Sequence, residues 1–286
     1  MPLIKRLAII GVGLIGGSLA RALREKREVG EIVGIGRGAA NLQRAVELGV
    51  IDRYEHDVCA GVAGADMVFL ATPVCSIVPI TRQIAPALDP GCIVTDGGSV
   101  KGDIVSACEE LMPAGRHFVG GHPIAGTEHT GVEASFATLY RGKRCIVTPT
   151  ARTDADALAK VVRMWEAAGS EVVVMDVGKH DRVVAAISHL PHMVAYSLVN
   201  AVGGYDRLDE GILKYSAGGF RDFTRIASSD PVMWRDIALM NRECILELMD
   251  YFTGYFAELR ALVAEKDAAG LEAFFTRSKE SRDAIL

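Results

Sequence analysis

The chain offers almost nothing for covalent or metal cross-linking. Six cysteines (Cys59, Cys75, Cys92, Cys108, Cys145 and Cys244) lie far apart, with no C-x-x-C pair and none beside a histidine. That pattern excludes a disulfide framework and reads as buried thiols in a reducing compartment. A structural zinc site needs clustered ligands, and the close pair His189 and His192 has no third ligand nearby, so no metal is expected. Blocks of like charge are missing too. The formal net charge is −5 with both signs spread along the chain, which argues against a nucleic-acid or polybasic membrane surface. No uninterrupted apolar run reaches the roughly 18 residues of a membrane span, and Met-Pro-Leu-Ile-Lys-Arg leads straight into an apolar strand pattern instead of a cleavable signal. The cytoplasm is therefore the expected location. Internal repeats and low-complexity tracts are absent. What remains is a chain of 286 residues, 50% hydrophobic, able to bury a large core in one or two domains.

The first segment with chemical content is "LAIIGVGLIGGSLARALRE". Leu7 to Ile10 form an apolar run bounded by glycine, and Ile15, Leu19, Ala22 and Leu23 continue as a helical stripe. Gly11, Gly13 and Gly16 then give G-x-G-x-x-G at a strand-to-helix junction. The first glycine allows the tight turn, the second lets the backbone approach a pyrophosphate, and the third lets helix and strand pack closely. The helix-start N–H groups, at Leu14 and Ile15, face the phosphates of a dinucleotide. The second strand, "EIVGIG", ends in Gly36 and Arg37 where an NAD site has an acidic residue for the ribose hydroxyls. A guanidinium there suits a 2′-phosphate, so the cofactor is NAD or NADP with a lean to NADP.

Further apolar runs, Asp66 to Val74, Cys92 to Val100, "RCIVTPT" and "EVVVMD", alternate with amphipathic segments such as Ser76 to Leu88 and Asp154 to Ala168. Such alternation predicts an α/β architecture, a Rossmann-like doubly wound parallel sheet with ligands beyond the carboxyl ends of its strands. Thr72, Pro73 and Ser99 belong to that rim. From about Gly178 the β pattern stops and helical periods take over, with Asp230 as N-cap and Pro231 at the first position of a long helix striped by Met233, Ile237, Met240, Cys244 and Leu248. The expected domains are 1–176, dinucleotide-binding, and 177–286, all-helical.

Chemistry converges on a few polar residues. "GGHPIAGTEHTG" follows the short apolar run "RHFVG", so His122 falls on the same rim as Ser99 and can act as a general base near neutral pH. His129 reads as solvent-facing. In "SHLPH", His189 and His192 share a helix face, and Pro191 frees the carbonyl of Ile187, so a kink or local opening is expected there, and both rings are candidates to line a substrate pocket. In "SAGGFRDFTRIASSDP", Arg221 and Arg225 are candidates for an anion clamp, since a guanidinium fork matches a carboxylate.

The order "GVGLIGGSLA", "FLATPV", "TDGGSVK", "GGHPIAGTEHTG", "SHLPH" and "GGFRDFTRIASSDPVMW" resembles the prephenate and arogenate dehydrogenases of tyrosine biosynthesis, from about Leu7 to about Leu248. The resemblance implies a helical dimerisation domain after the Rossmann domain, a homodimer, and a small-molecule substrate held between the domains. It implies that His122 accepts a hydrogen bond from the substrate ring hydroxyl, that Ser99 orients that histidine and the hydroxyl, that Arg225 binds a substrate carboxylate, and that His192 lies near the substrate side chain. Lys101, Arg221 and Arg225 would gather the dianion. No acidic residue in "SHLPH" calls for an ammonium, which leans the reading to prephenate over arogenate. Neither a fused mutase nor a regulatory domain is expected. Two other readings remain open: a β-hydroxyacid dehydrogenase with Lys179 or Lys214 as its catalytic lysine, and a non-catalytic dinucleotide sensor.

Overall fold

A computed structural model of the chain describes residues 1–127, 129–206 and 211–285. Its strands are β1 (Ile4–Ile10), β2 (Val29–Ile35), β3 (Arg53–Glu55), β4 (Met67–Leu70), β5 (Ile93–Asp96), β6 (His117–Pro123), β7 (Arg144–Thr148) and β8 (Glu171–Val174). They form one sheet in the order β3-β2-β1-β4-β5-β6-β7-β8, which reverses direction of growth at β1. Leu7 to Ile10 are no more than 3% exposed, as a strand covered on both faces must be. The six strands β1 to β6 pair in parallel, as the alternation predicts. The one departure from the parallel arrangement among the described strands is at β7, which runs antiparallel to β6. The described part of the connection 124–143 contains no helix, and without a helical crossover the chain returns alongside the strand it has just left.

The helices are α1 (Leu14–Glu25), α2 (Ala39–Glu47), α3 (Val58–Val62), α4 (Val74–Ile84), α5 (Gly102–Leu111), α6 (Ala155–Ala167), α7 (Val177–Val184), α8 (Leu190–Asp206), α9 (Gly218–Thr224), α10 (Pro231–Met240), α11 (Arg242–Glu265) and α12 (Ala268–Asp283). One face of the sheet is sealed by Leu19, Leu23, Leu42, Tyr140 and Trp165, and the other by Val62, Ile77, Ile104, Trp234 and Ile237. Full burial of each such side chain contributes about 1.5–3 kcal/mol. Trp234 and Ile237 lie on α10, so a helix from the second half of the sequence completes the core over α4. The compact units accordingly divide into 1–241 and 242–286, while the strand pattern itself ends with β8.

Val177–Asp206 is one helical run of 30 residues with a most apolar stretch of mean hydropathy 1.2, long and apolar enough to cross a membrane by length and composition. The run was not evident as an unbroken apolar stretch because Lys179, Asp181 and Arg182 punctuate its first turns. Its middle, Ala185–His189, is wound as a π turn just ahead of Pro191. This is the local opening expected of a proline that lacks an N–H: the ladder shifts register to absorb the missing bond. Asp230 caps α10, its Oδ1 accepting from Val232 and Met233 N–H at 2.7 and 3.0 Å. The long helix predicted beyond it is broken at Asn241, which separates α10 from α11. In the second unit, α11 and α12 pair through Arg277 and Glu258 at 2.9 Å.

Candidate active site

Strand register brings the site together. Ile10 lies opposite both Ile35 and Leu70, and Leu70 opposite Asp96, so the chain leaves β1, β2, β4 and β5 at one edge. At that edge Gly11 has φ 99°, and a Cβ on it would stand 2.4 Å from the Ala71 carbonyl oxygen. A Cβ on Gly16 would stand 2.2 Å from the Gly11 oxygen, whereas one on Gly13 would meet nothing within 4 Å. The three glycines thus serve a turn, an open approach and a helix contact, in the order the motif predicts. Gly13 is the N-cap of α1 and brings no side-chain cap, and no acidic residue occupies the first turn, so the N–H groups at Leu14 and Ile15 stay available to an anion.

A cavity of about 630 Å³ opens here, lined among others by Gly11, Gly36, Arg37, His56, Thr72 and Pro73. Among the described residues, Thr72 carries a buried hydroxyl with no partner, and Arg37 is exposed with no ion pair. His56 Nδ1 bonds the Gly36 carbonyl at 2.8 Å. A cleft with an unmet hydroxyl, an open glycine and free helix N–H groups fits a dinucleotide.

Next along the rim, His122 is the penultimate residue of β6; the antiparallel β7 extends the ladder, with Ile146 opposite His122. Its Nδ1 lies 2.9 Å from Nε2 of His180, and His180 Nδ1 lies 2.7 Å from Asp181 Oδ1. Asp181 also accepts the N–H groups of Lys101 and Gly102 at 2.9 and 2.7 Å. A carboxylate accepts only, so Nδ1 of His180 carries its proton, Nε2 of His180 accepts from Nδ1–H of His122, and Nε2 of His122 is left as a bare lone pair. Burial, then the neighbouring His180, Lys101 and His189, hold the His122 pKa well below that of an ordinary histidine. Burial works to raise Asp181, but hydrogen bonds from His180, Lys101 and Gly102 outweigh it and keep that carboxyl below its usual range.

Two expectations are corrected here. Lys101 is not a substrate cation: it is fully buried and its Nζ is paired with Asp96, whose carboxylate also accepts the Gly98 and Gly121 N–H groups. Ser99 is not what holds the His122 ring: His180 bonds that ring nitrogen, and the half-buried Ser99 side chain makes no hydrogen bond among the described residues. His180, Asp181 and Asn241 were missed by sequence reasoning. The adjacent pair in "GKHDR" was the available signal; Asn241 carried none, lying within an apolar helical stripe.

On the helical side, Asn241 Nδ2 bonds the Asp181 carbonyl at 2.9 Å and His189 Nδ1 at 3.1 Å. His189 is 1% exposed and therefore supports the site from behind instead of touching a ligand, a further correction; burial first of all pulls its pKa down to about 4. His192 is half-buried, stacks on Trp234 at 3.7 Å and 23°, and places Nδ1 2.8 Å from the Ser188 carbonyl. Arg225, exposed in the 3-10 turn Arg225–Ser228, is close enough for its charge to act on His192. Arg221 is exposed on α9, and neither arginine makes an ion pair among the described residues. Lys179 and Lys214 are both exposed and stand outside the histidine network, so nothing supports a catalytic lysine.

A family model described as the prephenate dehydrogenase nucleotide-binding domain matches residues 19–174, and one described as the prephenate dehydrogenase dimerization domain matches 176–277. Cyclohexadienyl dehydrogenase of Zymomonas mobilis is 37% identical over 100% of this chain and 97% of its own length. Prephenate dehydrogenase of Bacillus subtilis is 36% identical, covering 98% of this chain and 76% of the relative. The crystal structure of Aquifex aeolicus prephenate dehydrogenase with hydroxyphenyl propionate and NAD+ superposes with a TM-score of 0.93 at 38% identity, over 99% of this chain and 98% of that one.

Proposed function

Because the chain belongs to the prephenate dehydrogenase family, we propose that it oxidises prephenate to 4-hydroxyphenylpyruvate in tyrosine biosynthesis, with loss of CO2 and hydride transfer to NAD(P)+. Arogenate, the amino analogue, would give tyrosine by the same chemistry. The observation that carries this reading is the chain from His122 through His180 to Asp181. It leaves one bare imidazole nitrogen at the rim, able to accept the ring hydroxyl proton as the carbinol hydrogen departs as hydride. The resulting imidazolium is stabilised through His180 by the Asp181 carboxylate, and the proton returns to the phenol oxygen once CO2 has left and the ring is aromatic. The nicotinamide, when bound, supplies the hydride acceptor.

Gly11, Gly13, the N–H groups of Leu14 and Ile15, Gly16, Thr72 and Pro73 would hold the dinucleotide, with Arg37 taking a 2′-phosphate; this supports NADP over NAD. Arg225 would take a substrate carboxylate, with His192 beside it and Arg221 as a second exposed cation. The partner is a second copy of the chain, joined through the helical region, whose exposed Tyr251, Phe252, Tyr255 and Phe256 give α11 an apolar aromatic face. A reducing cytoplasm suits six cysteines that lie far apart in the sequence.

The test is the absorbance of reduced cofactor with prephenate or arogenate and NAD+ or NADP+, for wild type and His122→Ala. Turnover in wild type and its loss by about 10²–10⁴-fold in the variant supports the reading. Cofactor binding without turnover of either acid sinks it.

A further inference from the structure

Lys101 and Asp96 are fully buried, and the proton transfer at His122 uses neither of them. Taking two charges out of water is costly, and a buried ion pair adds little stability over apolar residues of the same size. The strand beside the pair is shaped to fit it. β6 carries Gly120 and Gly121 in its interior, where glycine marks a close approach of other groups. A Cβ on Gly120 would crowd Thr148 and Val105 and reach Cδ of Lys101 at 3.4 Å, and one on Gly121 would stand 2.9 Å from the Asp96 carbonyl oxygen. The lysine stem and the end of β5 therefore lie against the two residues that precede His122. Asp96 Oδ1 accepts the Gly121 N–H at 3.1 Å, and its Oδ2 accepts the Gly98 N–H at 2.9 Å and Nζ of Lys101. The main-chain N–H groups of Lys101 and Gly102 donate to Asp181, which sets the tautomer of His180 and through it that of His122. One lysine thus grips Asp96 with its side chain and Asp181 with its backbone. Asp96 fixes the main chain one residue ahead of the base, and Asp181 fixes the ring.

We propose that Asp96 and Lys101 are positioning residues for the base: their ion pair locks the segment 96–102, so that β6 and the His180–Asp181 relay together hold Nε2 of His122 in place for the substrate. The inference rests on the dehydrogenase reading, in which His122 is the proton acceptor. Both side chains are sealed from solvent, so neither meets the substrate itself. The charged and titratable groups around His122 are His180 and Asp181 on α7, His189 in the π turn, Asp96 and Lys101 on the segment between β5 and α5, and Cys145 on β7. Burial, then His180, Lys101 and His189, hold the ring's pKa down. Removal of the lysine therefore makes the ring easier to protonate, and the acid limb of kcat/KM moves to higher pH.

The test compares the full-length wild type with Lys101→Met and with the double variant Asp96→Asn, Lys101→Met. The double variant leaves no lone ion inside, so it carries the test if Lys101→Met alone does not fold. Its asparagine has one acceptor oxygen where two N–H groups need one each. With prephenate or arogenate, kcat should fall by about 10²-fold in both variants, the scale of a base displaced by a change away from the chemistry. KM and dinucleotide affinity should stay within about twofold, and the double variant should lose no more than the single one, as residues acting as a unit do. The acid limb should move to higher pH in both. The 15N resonances of the His122 ring report without turnover: one tautomer in wild type, with Nδ1 protonated and Nε2 bare, and a mixture in the double variant. A lower stability in urea with unchanged kcat, acid limb and His122 tautomer would assign the pair to the core alone and overturn the proposal. If wild type turns over neither acid, the dehydrogenase reading falls, and the ring resonances still decide whether the pair positions His122.

Discussion

His122 can act as a base in only one of its two neutral tautomers, and two residues that touch no substrate choose it. Asp181→Ala removes the acceptor that keeps the proton on Nδ1 of His180, so neither ring is held in the tautomer that leaves Nε2 of His122 bare. The expected result is a kcat reduced by about 10²–10⁴-fold with cofactor affinity unchanged, read by steady-state kinetics and dinucleotide titration. The pKa of His122 lies well below the usual histidine value, so kcat/KM should stay level through neutrality and fall only in acid. His189 makes a separate, structural prediction. Its folded pKa of about 4 is depressed from the ordinary histidine value of 6.5, so between those limits the unfolded chain binds more protons than the folded one. Stability is complete above about pH 6.5 and should fall by roughly 3 kcal/mol as pH drops toward 4, a slope that urea unfolding will show and His189→Gln will flatten.

Among the elements, the junction of β1 and α1 separates folding from binding within one motif. Gly16→Ala forces a methyl against the Gly11 carbonyl, 2.2 Å from where it would sit, and should cost about 1–3 kcal/mol in thermal unfolding. Gly13→Ala meets open space in the protein. It should leave unfolding unchanged and weaken dinucleotide binding by roughly tenfold or more in a fluorescence titration, because the methyl occupies the pyrophosphate approach. These roles were legible because strand, turn and helix are contiguous in sequence and each imposes its own period. The same holds for the cap at Asp230 and for the opening before Pro191. The direction of β7 was not legible: apolar alternation says that a strand exists and nothing about which way it runs, and that was decided by a connection lacking a helix. Nor could the sequence show that Lys101 lies fully buried against Asp96, since a lysine in a glycine-rich turn looks identical whether solvated or paired.

At the scale of the whole molecule, α11 presents Tyr251, Phe252, Tyr255 and Phe256 to solvent in the isolated chain, four exposed aromatic rings within six residues. Phe252→Glu with Phe256→Glu should shift sedimentation equilibrium from dimer to monomer without loss of helical circular dichroism; an unchanged mass would remove this face from the interface. Composition and helical period showed that the second half is helical. They could not show that α10 completes the core of the first half, because a buried stripe looks the same whichever layer it covers. Trp234, which stacks on His192 and seals that core, was overlooked for this reason. Asn241, at the end of α10, holds both Asp181 and His189 in place. The reactive nitrogen is left bare only when a strand, a later helix and the end of a third, far later segment have all docked. The arrangement works as a checksum on folding: a clipped or half-assembled chain could still capture its dinucleotide, yet it would stay silent toward substrate.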